Sequence, residues 1–158
     1  MRKLIINSAT LLSLLLCTGI TTICGQQKLF FHDNEKIFTA TEIKQVDSVL
    51  RNYHQKTGNH VLVLTTDTLD GLGPEEYAIR FARQQPLSNT QNQKGFIFLM
   101  SRKNQLLYLV ASDPLKALVS REKLMEIINE GIPALKEKRT AEGLVQICKK
   151  AMECLNKL

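Results

Sequence analysis

The chain has no repeat, no low-complexity tract and no block of Lys and Arg. It therefore lacks the charge pattern by which nucleic-acid binders are read. It also has no Gly-rich phosphate loop, no Ser at a strand-to-helix elbow and no Cys–His pair placed for nucleophilic work. Its three histidines, His32, His54 and His60, have no paired spacing for a metal. His60, at a strand entrance, reads as structural. Cysteine is scarce and unpaired. Beyond Cys17 and Cys24 only Cys148 and Cys154 occur, six apart on one predicted helix and without Cys-x-x-Cys spacing. Six residues span about 9 Å of helix axis, too far for a disulfide, which needs Cα atoms within roughly 7 Å. Both are expected to be free, half-buried thiols, with Cys148 a core residue rather than a nucleophile.

With 158 residues, 44% of them hydrophobic, the chain can build one domain with a real core. Residues 1–25 stand apart. Arg2 and Lys3 precede an apolar stretch over 4–16, and small residues follow as far as Gly25. This is the pattern of a secretory signal peptide. A membrane anchor would need an apolar run of ~20 residues, and Ser8, Thr10 and Ser13 dilute this one. Lipid attachment at Cys17 or Cys24 is the minor alternative, because Leu16 and Ile23 stand where a small residue is usual. Export predicts a periplasmic or secreted chain. Removing the leader takes away Arg2 and Lys3 and no acid, so the formal charge falls from +6 to +4. That is the balance of a solvated surface.

Two apolar runs flank the polar elbow Ser101-Arg102-Lys103-Asn104-Gln105. Runs this short, rich in Phe, Ile, Leu, Val and Tyr, predict strands, and the elbow makes them an antiparallel hairpin. A third strand is predicted over 60–66. Thr39-Ala-Thr-Glu42 reads as a capping box opening a helix with Ile43, Val46, Val49, Leu50 and Tyr53 on its buried face, closed by Gly58. Gly73-Pro74-Glu75-Glu76 opens a second helix, with Pro at its first position and acids at the positive end. Tyr77, Ala78, Phe81 and Ala82 face inward and Pro86 ends it. That unit is a strand–helix–strand crossover, so its strands are parallel. Ser120 caps a third helix, kinked at Pro133, and Thr140 caps the last. Asp67-x-x-Asp70 is weakly suggestive of a cation site. The expected fold is a single-domain, three-layer αβα sandwich with a small mixed sheet of about three main strands and about four helices. Residues 26–38 form an extended lead-in, some of whose Leu29, Phe30, Phe31 and Phe38 fold back onto the core, and residues 39–158 form the domain.

Five stretches carry a resemblance in their order and spacing: Lys56-Thr57-Gly58-Asn59-His60, Glu75-Glu76-Tyr77-Ala78, Lys94-Gly95-Phe96-Ile97-Phe98-Leu99, Ile132-Pro133-Ala134-Leu135-Lys136 and Glu142-Gly143-Leu144. Over residues 37–158 the chain resembles the TPM-domain family. The resemblance implies an extracytoplasmic domain. Some plant members are described as acid phosphatases of photosystem repair, and some bacterial members bind calcium. It also implies a site, and there the sequence departs. The family's Asp-Asn-Gly before the second strand falls on Gln93, Lys94 and Gly95. Its Gly-Tyr-Gly-Leu-Glu after the third strand falls on Ser112, Asp113, Pro114, Leu115 and Lys116, and a later Asp falls on Arg121. Three acids are thus replaced by Gln93, Lys116 and Arg121, leaving Asp113.

The hairpin places both loops on one edge of the sheet. Lys and Arg offer no oxygen to a hard cation, so loss of the family's calcium site is expected, with no cofactor or metal in its place. Lys94, Ser112, Lys116, Ser120 and Arg121 could instead attract an anion. A solvated basic loop without a ligand is the simpler reading. The expected function is a non-catalytic module for a protein or envelope component. The alternative is a phosphatase-like hydrolase of phosphate esters whose residues have moved within the fold. Neither nucleic acid nor a membrane-spanning helix in the mature chain is expected.

Overall fold

The computed structural model describes residues 30–85 and 94–158. The leader, Leu29, Pro86, the loop over 87–93 and therefore Gln93 lie outside the described residues. Four strands form one sheet in the order β1 (Phe31–Asp33), β2 (His60–Thr65), β3 (Gly95–Ser101), β4 (Leu106–Ala111). The first three are parallel, and β4 returns antiparallel to β3. Six helices lie among the described residues: α1 (Ala40–Thr57), α2 (Pro74–Gln84), α3 (Asp113–Lys116), α4 (Arg121–Asn129), α5 (Ile132–Lys136) and α6 (Thr140–Asn156).

In β2 and β3 alternate side chains are buried alike, with Val61, Leu62, Val63 and Leu64 and the whole run Phe96–Met100 in the core. Only a sheet covered on both faces gives that pattern. Ile97 pairs with Val110 and Phe98 with Leu109, so Ile97 and Leu109 are both buried but on opposite faces. The face of His32 and Thr66 meets α2 through an edge-on contact with Phe81, centroids 5.0 Å apart, and through the Tyr77 hydroxyl 3.1 Å from Thr66 Oγ1. α1 and α4 each pack on α6; α1 and α6 reach β2, and α4 reaches β4.

The helix ends follow local chemistry. Thr39 Oγ1 accepts from the Glu42 N–H while Glu42 accepts from the Thr39 N–H, at 3.3 and 2.8 Å. Gly58 closes α1 at φ +73°, a conformation that favours a residue without Cβ. Ser120 caps α4 by accepting from the Lys123 N–H.

Several expectations are corrected. The lead-in contributes a fourth strand, because Phe30 and Phe31 are buried and Phe31 pairs with Val63. Two further short helices, α3 and α5, bring the count to six. Pro133 does not kink one helix but separates two. It cannot donate to the carbonyl four residues back, so α4 ends at Asn129 and α5 restarts after Gly131. Arg139, not Thr140, is the N-cap of α6, and its guanidinium pairs with Glu137 and Glu142. On α1, Val49 is 45% exposed and Asp47 faces inward instead. The Asp47 carboxylate accepts from the Phe30 and Phe31 N–H groups at 2.6 and 3.3 Å and pairs with Arg51. Cys148 and Cys154 are free, as expected, but fully rather than half-buried.

Candidate functional site

The edge where β2 and β3 begin and β4 ends holds the positions that the sequence singles out. The register sets His60 opposite Gly95 and Phe96 opposite Ala111. Ser112 then closes the ladder twice: its N–H donates to Gly95 O at 2.9 Å, and its Oγ accepts from the Gly95 N–H at 3.1 Å. The His60 N–H donates to Lys94 O at 3.1 Å. Lys94, just before β3, and Ser112, just after β4, thus stand on one edge.

Gly95 is fixed by contact rather than by backbone conformation. A Cβ there would press on Nε2 of the His60 imidazole, too close to be accommodated. The ring is largely buried and its Nδ1 has no hydrogen-bond partner. Burial, with the nearby charge of His54 adding to it, pushes His60 down to about 4 from its ordinary 6.5. His54 itself is held by its Nδ1, 3.1 Å from Asn59 O, and by its ring against Phe30.

After Ser112 the chain turns directly into α3, with Pro114 in its first turn and Leu115 buried as its anchor. Lys116 Nζ lies 3.2 Å from Asp113 Oδ1 and 3.5 Å from Glu75 Oε1 at the start of α2. The hydrogen bond to Asp113, and then Glu75, raise the Lys116 ammonium above its usual value. Lys94 Nζ instead donates to Leu158 O at 2.9 Å. Ser120 is engaged in capping, and its hydrogen bond to Glu122 lowers that carboxyl. Arg121 is exposed at the start of α4, in a shallow depression with Glu122 and Met125. Lys94, Lys116 and Ser120 thus have separate partners, and Gln93 is outside the described residues.

The sequence pattern did not show the role of Glu75. Its partner Lys116 is 41 residues away, and a helix-dipole argument already accounted for the residue. Asp67 and Asp70 do not converge. Asp67 lies 4.0 Å from Lys103, and Asp70 accepts from Thr68 Oγ1. Among the described residues no three His, Cys, Asp or Glu side chains gather as a metal would require. Among them, too, no helix is long and apolar enough to cross a membrane.

These elements define a single-domain αβα sandwich with a mixed four-stranded sheet. The chain belongs to the TPM-domain family, whose domain matches residues 31–154. That match begins at β1, so the edge strand lies within the family's domain. Solved structures share the fold. The N-terminal domain of a protein from P. gingivalis superposes with a TM-score of 0.69 at 17% identity, covering 84% of this chain and 85% of that one. The BA42 protein of the psychrophilic bacterium Bizionia argentinensis gives 0.66 at 20%, covering 78% and 85%. The N-terminal domain of cg2496 from Corynebacterium glutamicum gives 0.61 at 11%, covering 81% and 80%. At such identities the likeness is one of fold. No curated protein matches the sequence.

Proposed function

We propose that this chain is an exported TPM-domain module that binds a protein or cell-envelope component and carries no catalytic cation site. The observation that carries the reading is Lys116. Where the resemblance places a carboxylate stands an ammonium, and it already engages Asp113, the acid left in the two loops. A hard cation needs several oxygen ligands, and metal-assisted hydrolysis needs the cation. An anion site over Lys94, Ser112, Lys116, Ser120 and Arg121 is the weaker form of the proposal, since Lys94, Lys116 and Ser120 have partners already.

Millimolar calcium is expected to leave the melting temperature unchanged. A ligand at a hundredfold excess over its dissociation constant stabilises by about 2.7 kcal/mol, or roughly 5–10 °C for a domain of this size. A shift of that size overturns the reading. So does hydrolysis of an aryl phosphate, with or without calcium, which would favour the relocated phosphatase. The converse variant is Gln93→Asp, Lys116→Glu and Arg121→Asp, in which a calcium-dependent shift would show that the site geometry survives under altered charge. Export rests on residues 1–25. N-terminal sequencing of mature protein is expected to begin near Gln26, and a full-length cytoplasmic product would refute it.

A further inference from the structure

The group on this edge that the proposed function does not use is His60. Its ring rests on the backbone of Gly95, and its Nδ1 is shut off from solvent with nothing to accept or donate to it. The charge acting on it from α1 is another histidine, His54. Its strand neighbour Gly95 has no side chain, and Ser112, beside Gly95, offers a neutral hydroxyl. The Lys94 ammonium is turned to Leu158 O. A proton placed on Nδ1 of His60 would therefore be closed off from water, with no carboxylate among these groups to answer it, which such sites tolerate poorly.

We propose that His60 is an acid-sensitive latch: its protonation releases the rung that joins Gly95 to Ser112, and with it the edge formed by Lys94 and by α3 with its Asp113 and Lys116. The latch stands on the packing of His60 against Gly95. Only its consequence for binding rests on the function proposed above. The sign follows from a histidine held below its ordinary value. The closed edge is fully favoured above pH 6.5, loses ground as pH falls, and reaches a floor below about 4. The interval between those values allows the opening equilibrium to rise by up to roughly 300-fold.

Two-dimensional NMR of the full chain tests this. The His60 imidazole shifts give its titration, and amide exchange gives protection factors referred to an unstructured peptide at the same pH. Between pH 6.5 and 4.5 the protection of Gly95 and Ser112 should fall roughly 40-fold, while that of Val63 and Ile147 holds. In His60→Phe or His60→Asn the fall should shrink to less than about threefold. Titration of His60 above pH 6 overturns the latch. So does an equal loss of protection across the core, or the same fall in a folded variant. The wild-type measurement decides the matter even if neither variant folds. No calcium or substrate is added, so the outcome is independent of the calcium result.

Discussion

Asp47→Ala should lower stability by about 3–5 kcal/mol and the melting temperature by about 10–15 °C, making it among the most damaging single changes outside the apolar core. The carboxylate is 5% exposed and receives the two N–H groups, of Phe30 and Phe31, that lead into β1. Truncation strands both donors in a site closed to water and leaves the Arg51 guanidinium without its partner. Asp47→Asn keeps an acceptor oxygen for the N–H groups and loses the ion pair, so it should fall between Ala and wild type. Val49→Ala, on the exposed side of the same helix, should change stability by less than about 0.5 kcal/mol. Urea denaturation of the four proteins checks the order. Equal midpoints for Asp47→Ala and Val49→Ala would show that β1 is not held from α1.

Gly131→Ala should cost about 2–3 kcal/mol by overpacking, although the residue needs no special backbone freedom at φ −93°. A Cβ there would press on the Gly143 carbonyl oxygen and stand 2.7 Å from Ile147 Cγ1. The obstacle is the backbone of α6, which cannot rotate away. Gly143→Ala should cost less. Its Cβ would meet Leu135 Cγ at 2.8 Å and Gly131 O at 2.9 Å, but relief of glycine within a helix returns about 1 kcal/mol. Thermal unfolding separates the two. A Gly131→Ala protein at least as stable as wild type would mean that α5 and α6 do not approach this closely.

What the sequence disclosed is what local chemistry decides. Thr39, Gly58, Pro74 and Ser120 act within one turn of themselves, and each terminus lies where the pattern set it. The hairpin at 101–105 and the parallel pairing of 60–65 with 95–100 were equally readable, because buried strands this apolar have few alternatives. β1 was not, since three residues carry no period and the strand exists only through its pairing with Val63, Leu64 and Thr65, 32 residues later. Asp47 escaped for a related reason. A count of apolar positions at helical spacing favours Val49 and has no place for a buried carboxylate. The break at Pro133 depended on Gly131 and on Gly143 of the next helix. At the candidate site the meeting of Lys94 with Ser112 followed from strand order alone. The partnership of Lys116 with Glu75 required knowing how α2 lies against α3.

Burial drives the thiol of Cys148 up to about 12, with consequences for how the molecule can be watched. Only a thiolate attacks an electrophile, and at neutral pH this one hardly exists while α6 lies in the core. An alkylating dye therefore reacts at Cys148 when, and only when, the helix has left its seat. With Cys17, Cys24 and Cys154 replaced by serine, the pace of labelling under native conditions becomes a clock that ticks once for each opening of the domain.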